Sequence, residues 1–330
     1  MQDELRSRVA GVAVGTAVGD ALGMPLEFGP ARPADRLVRE MLPGRIPAGS
    51  FTDDTEMALA LAESLLTNRP LNPEDLAQRF VTWIESHPPD VGIHTASVLW
   101  RFADGEPWET AVAAVQAHNP GSAGNGSVMR CWPVALAYWD DLDRLLDDSV
   151  LQSRITHPHP ECNAGSAFVN ATIYHLLHDL SPENAVAQAL DDAAVPAALR
   201  AVIIAAPGKD RRDLPNSGWV RHTLESAVWG LLTTYNFEDA VVNVINLGND
   251  ADTAGAVVGA LAGAAYGLDA IPRRWRTALR GEFPLGSGRI WHTADLVTLA
   301  EQLAGEGVWG CGSVGVWECG SVGERKLSTR

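Results

Sequence analysis

Two stretches of this 330-residue chain, 9–21 and 254–265, consist almost wholly of Ala, Gly, Val and Leu and are apolar on nearly every face at helical period. A helix without a polar side has to be covered all round, so both belong at the centre of a larger set of helices. The rest of the chain reads at the same period, in Ala- and Leu-rich stretches broken by Pro, Gly and Asn, with few runs of alternating β-branched residues. Candidate helices cover 4–22, 54–66, 73–85, 94–102, 107–117, 129–137, 141–156, 161–177, 182–192, 196–205, 223–234, 237–246, 252–267 and 272–280. The expected fold is all-α, one compact multi-helix bundle over residues 1–304. A short Gly-rich duplication near the end, with no helical or strand pattern, marks 305–330 as an expected flexible tail.

Composition excludes several classes of protein. Acidic residues number 41 against 25 Lys and Arg, a net charge of −16, which argues against a groove that must neutralise a phosphate backbone; no nucleic-acid partner is expected. Residues 9–19 follow Arg6 and Arg8 as a signal peptide would, but they lack the Leu-rich character of one and run straight into Asp20, so a buried helix is expected. No uncharged apolar stretch reaches the length of a membrane span, and no membrane association is expected. Cys131, Cys162, Cys311 and Cys319 show neither a C-x-x-C pair nor zinc-ligand spacing, which suits a reduced, cytoplasmic setting. A monomer is expected.

Chemistry concentrates in five places. Ser50 to Glu56 sets Thr52, Asp53, Asp54 and Thr55 at the start of an amphipathic helix. Thr52 or Asp53 can simply cap that helix, yet adjacent carboxylates beside two hydroxyls exceed what a cap needs and repel one another without a cation. Gly248 to Thr253 repeats the arrangement with Asp250, Asp252 and Thr253, between an apolar segment and the small-residue helix. Buried carboxylates need a partner charge or take up protons, and no Lys or Arg lies within 18 residues on either side. Oxygen-only donors select hard ions such as Mg²⁺ or Mn²⁺. If the two clusters converge, four carboxylates balance two divalent cations.

The third place is the Gly/Ser/Asn loop from Pro120 to Arg130, which is either a phosphate cradle at a helix start or an ordinary turn. Beyond it His157 and His159 stand in a His-Pro-His-Pro segment, either as loop residues or as ligand contacts. Asp90, in a Pro-rich loop, can cap the next helix or serve chemistry, and Glu27 follows the first buried helix.

Taken in order, the series Gly15 to Gly23 with Glu27, Thr52 to Thr55, Gly124 to Arg130, Thr156-His157 and Gly248 to Thr253 resembles the ADP-ribosylglycohydrolases, in particular the bacterial dinitrogenase reductase-activating type, over roughly residues 8–280. That resemblance implies an all-α fold with a dinuclear Mg²⁺ or Mn²⁺ centre that removes ADP-ribose from modified proteins or related conjugates. Matched by motif, Thr52, Asp53, Asp54, Asp250, Asp252 and Thr253 would bind metal. Ser122, Gly124, Asn125 and Gly126 would hold the phosphates, and His157 would lie along the ADP-ribose. Glu27 would belong to an acidic loop closing over the metals. Asp90 resembles the acid that faces the scissile bond in arginine-specific members, which points to ADP-ribosyl-arginine, with Asp90 transferring the proton and Asp54 orienting water. His159 and residues 305–330 have no counterpart in this pattern.

Overall fold

The computed structural model describes residues 2–305; the expected tail beyond 305 lies outside the described residues. In chain order the helices are α1 (Gln2–Gly23), α2 (Asp53–Thr67), α3 (Pro73–Glu85), α4 (Ile93–Ala103) and α5 (Trp108–His118). Then follow α6 (Trp132–Ala137), α7 (Leu142–Arg154), α8 (Pro160–Leu177), α9 (Pro182–Asp192) and α10 (Ala197–Ala205). The last are α11 (Val220–Thr233), α12 (Phe237–Ile245), α13 (Ala251–Tyr266), α14 (Arg273–Ala278) and α15 (Thr293–Ala304). The fold is all-α apart from one small antiparallel hairpin, β1 (Arg280–Glu282) against β2 (Ile290–His292), which pairs Gly281 with Trp291.

The two small-residue helices form the centre. α1 and α13 run antiparallel in backbone contact, Gly11 facing Gly263, Gly15 facing Gly259 and Gly19 facing Gly255. A Cβ added at Gly19 would come within 1.9 Å of the Gly255 carbonyl oxygen, so any side chain there would force the helices apart. Around this pair α8, α11, α12 and α15 supply the covering layer, and Val9, Val12, Val14, Val257, Val258 and Leu261 are buried between them. By length and composition 2–26 could cross a bilayer, but 94% of its most apolar window is buried in the protein. It is the core helix that its alanines and glycines suggest.

Local signals set the other helices. Asn72 accepts from the amides of Glu74 and Asp75 and Pro73 opens α3; Ser181 and Pro182 do the same for α9. Both spans agree with the sequence expectation. Elsewhere boundaries shift by one to three residues, and two differences have a clear local cause. α6 begins at Trp132 rather than at 129, because the chain turns at Asn125, whose carbonyl accepts from the amides of both Val128 and Met129. The sequence reading omits α15, which is closed by a capping box between His292 and Asp295 and buries Leu296, Leu299 and Leu303.

Candidate functional site

Close packing of α1 on α13 brings the end of the first helix to the start of the last central one. Asp20, on α1 and fully buried, accepts hydrogen bonds from the main-chain amides of Thr52 and Thr55, at 3.0 and 3.2 Å, and from their hydroxyls, at 2.8 and 2.6 Å. Asp20 therefore grips the N-terminus of α2. Thr52 occupies the cap position of α2 but makes no side-chain cap bond; its hydroxyl faces Asp20 and Asp54 Oδ2 instead. Capping also fails to account for the second cluster, since Asp250 makes no cap bond to α13, and for Asp90, since the cap position of α4 is Gly92.

The two clusters meet. Burial, then repulsion from Asp20, Asp252, Asp53 and Asp250, pushes the Asp54 carboxyl well above the usual carboxylate range. Burial and repulsion from Asp90 and Asp252 do the same to Asp53. Asp250 is pushed up to about 7, mainly by burial and by Asp252, and Asp252 to about 6 by burial and Asp20. Asp54 Oδ1 is buried without any hydrogen-bond partner. An ionised oxygen in that position needs a cation, and the surrounding carboxylate and hydroxyl oxygens suit a hard divalent one. Residues Thr52, Asp53, Asp54, Asp250, Asp252 and Thr253 thus fit the group that their composition suggests, and Thr253 is itself 6% exposed beside Asp252.

Sequence reasoning passed over three residues that shape this floor. Asp20 is one. Asn216 is another, donating from Nδ2 to the carbonyls of Gly248 and Asp250 at 2.6 and 3.1 Å. It supports a loop in which Gly248 and Asn249 both take positive φ, a conformation that Gly and Asn adopt with least strain. The third is Arg45. No cation is near Asp252 in sequence, yet the tertiary structure brings the Arg45 guanidinium to Glu27, Asp90 and Asp252, the last at 3.3 Å. The only sequence signal was an Arg set between two prolines.

Glu27 and Asp90 stand at the mouth, half-buried, and one oxygen from each lies within 4.8 Å of the other and of one from Asp252. Glu27 is tied to the second cluster through its neighbours: Phe28 N donates to Asn249 O at 2.7 Å and Asn249 N to Gly29 O at 2.8 Å.

The Gly/Ser/Asn loop lines another side. Its backbone pairs with the segment before α11, Asn125 N donating to Gly218 O at 3.0 Å. Asn125 was expected at the phosphates, but its amide group points inward, donating to Asp250 Oδ2 at 2.6 Å and to Thr223 Oγ1 at 2.8 Å. With its donors engaged inside the protein, it works as a strut between the loop and the acidic floor. The helix that follows the loop, α6, begins only at Trp132, six residues past Gly126. His157 is buried beneath Gly124 and Gly126, where a Cβ on Gly126 would meet its ring at 2.7 Å. Burial, with His94 and Arg130 nearby, holds its imidazole well below the ordinary pKa, so it is a neutral support under the loop. Ser122 is half-buried, with Oγ 3.4 Å from His94 Nδ1. The unassigned His159 caps α8, accepting from Glu161 N at 3.2 Å.

Comparison with known proteins identifies the family. The family model described as ADP-ribosylglycohydrolase matches residues 1–310. ADP-ribosylarginine hydrolase Tri1 of Serratia proteamaculans is 34% identical over 289 residues, spanning 83% of this chain and 75% of that protein. ADP-ribosyl-[dinitrogen reductase] glycohydrolase of Rhodospirillum rubrum is 33% identical over 288 residues, spanning 83% and 91%. A solved structure described as an ADP-ribosylglycohydrolase-related protein complex superposes with a TM-score of 0.76 at 35% identity, covering 92% of this chain and 98% of that one. The family model and these relatives establish that the chain belongs to the ADP-ribosylglycohydrolase family and is a hydrolase of that type.

Proposed function

We propose that the protein releases ADP-ribose from arginine side chains, using two divalent cations, Mg²⁺ or Mn²⁺, held by Thr52, Asp53, Asp54, Asp250, Asp252 and Thr253. Divalent-metal use is a property of the family. The observation that carries the reading is Asp54 Oδ1, a buried carboxylate oxygen with no partner among converging carboxylates. The arginine linkage is supported by relatives named for it and by the Glu27–Asp90 mouth, which already accommodates a guanidinium from within the chain.

When bound, such cations polarise ribose hydroxyls and a water molecule. The protein's own groups do the rest. Asp20 holds the amide and hydroxyl of Thr52 in place, which turns Thr52 toward Asp54. Asn125 fixes Asp250. Ser122, Gly124 and Gly126 form a wall with small or absent side chains, against which a diphosphate can approach main-chain amides. Asp90 transfers the proton between water and the departing nitrogen, a role open to a half-buried carboxylate within reach of a guanidinium. Asp54 orients the water, and Glu27 adds negative charge that draws a cationic leaving group into the mouth. The partner is an ADP-ribosylated protein or a small ADP-ribose conjugate. We place the reaction in the cytoplasm, where Cys131 and Cys162 would remain the free thiols seen here, and assign it to a monomer.

Assaying the purified protein against ADP-ribosyl-arginine, ADP-ribosyl-serine and O-acetyl-ADP-ribose, each with and without EDTA, tests the reading. Release from the arginine conjugate alone, abolished by EDTA and by Asp54→Ala or Asp252→Asn with unchanged helical circular dichroism, is the expected result. Full activity in both variants would remove the assigned centre, and turnover of the serine conjugate alone would replace the aglycone.

A further inference from the structure

Arg45 is the one cationic side chain that, among the described residues, hydrogen-bonds to the cleft carboxylates. Its guanidinium contacts Glu27 through Nη1 and Asp90 and Asp252 through Nη2. These are the three acids whose oxygens cluster at the mouth. The residue's main chain lies at the surface while only 27% of its side chain is exposed, so it reaches inward from the rim. It is presented by Pro43-Gly44-Arg45-Ile46-Pro47, where two prolines restrict the backbone. Gly44 packs closely on Met24 and Pro25, where a Cβ would come within 2.6 Å of the Met24 sulfur. Arg45 is thus delivered to the mouth by a stiff, seated turn.

We propose that Arg45 is an internal stand-in for the leaving group: its guanidinium fills the subsite that receives the guanidinium of ADP-ribosyl-arginine, and it has to swing out before a conjugate can enter. This rests on the arginine reading above. The same planar cation satisfies the same acids in either case, because a guanidinium offers several N–H donors in a fixed plane to carboxylates on its edges. Arg45 then competes with the conjugate for this subsite. It holds the mouth acids in position while no substrate is bound, and an entering guanidinium has to take over its hydrogen bonds. A neutral hydroxyl leaving group does not call on that subsite, so Arg45 weakens the binding of arginine conjugates more than that of serine ones.

A site whose open form is a minor fraction of the population binds its ligand more weakly by that fraction. Calorimetric titration of the full chain with agmatine, a small guanidinium compound, reads this directly without turnover. After EDTA treatment, Arg45→Ala and Arg45→Gln are expected to bind agmatine about tenfold or more tightly than the unaltered protein. Adding Asp90→Asn to either variant should remove the gain. With Mn²⁺ present, the same single variants should lower KM for ADP-ribosyl-arginine more than for ADP-ribosyl-serine. Equal agmatine affinity with and without Arg45, in variants whose circular dichroism is unchanged, overturns the proposal, as does a gain that survives Asp90→Asn. If Arg45→Ala does not fold, Arg45→Gln, nearer in size and hydrogen-bonding capacity, decides. Failure of the arginine reading looks different: the unaltered protein would leave ADP-ribosyl-arginine intact whatever agmatine does.

Discussion

Asn125 Nδ2 lies 2.6 Å from Asp250 Oδ2, a hydrogen bond between residues 125 apart in the chain that joins the glycine-rich loop to the acidic floor. The same side chain donates to Thr223 on α11, so one amide ties together three segments. Groups that orient a metal-binding carboxylate commonly contribute roughly 10–100-fold to metal affinity or activity. Asn125→Ala is accordingly expected to weaken Mn²⁺ binding and ADP-ribose release by about that factor, with the helical spectrum retained. Metal titration and steady-state kinetics on the same preparation check it, and unchanged Mn²⁺ affinity would refute it.

Asp20 accepts from four donors at the start of α2 without being a proposed ligand. Asp20→Ala leaves the Thr52 and Thr55 amides and the Thr55 hydroxyl buried and unpaired, which costs about 1–3 kcal/mol for each buried group left unsatisfied. The expected outcome is a lowered melting temperature together with loss of Mn²⁺-induced stabilisation. A variant as stable as the parent and equally responsive to Mn²⁺ would show that Asp20 holds nothing.

The contact between α1 and α13 tolerates no side chain at its glycines. At Gly19 a Cβ would stand 1.9 Å from the Gly255 carbonyl oxygen, against nothing within 4 Å at Gly105. Overpacking a rigid core typically costs about 1–3 kcal/mol and sometimes more. Gly19→Val should therefore destabilise the protein strongly and disturb metal binding, because Asp20 is the next residue. Gly105→Asn, in open space and at a positive φ that Asn adopts at small cost, should destabilise only mildly and leave metal binding unchanged. Thermal denaturation of the pair discriminates.

The acidic floor also gives a pH dependence with a definite sign. Asp250 is raised to about 7, and Glu56, buried and accepting from Trp83 Nε1, to about 8. Burial is the main cause for both. Raised values mean that the folded, metal-free chain keeps protons that the unfolded chain has already released. Their stabilising contribution is full below the ordinary carboxylate range and is lost as pH rises toward the folded values. In EDTA the melting temperature should fall between about pH 5 and pH 8, and the increment from Mn²⁺ should grow over the same interval. A metal-free melting temperature that climbs across this interval would contradict the assignment.

How much of this could be read from the chain follows from the range of each interaction. Helical period, proline starts and asparagine caps act within a few residues, so α3 and α9 were legible to the residue. The aspartate-threonine clusters were legible as well, because an excess of carboxylates at a helix start is a local oddity. α15 escaped because its cap uses His292, an uncommon capping residue, and its apolar face is short. The functions of Asp20, Arg45, Asn125 and Asn216 depended on partners 32, 207, 125 and 34 residues away. Period and composition alone specify an all-α chain with two largely apolar central helices and two groups of adjacent carboxylates at helix starts. That glycines let those helices touch, that the two groups face each other, and that an arginine from the rim lies among them emerge on folding, because close approach across the core is a property of the assembled backbones and not of any single segment.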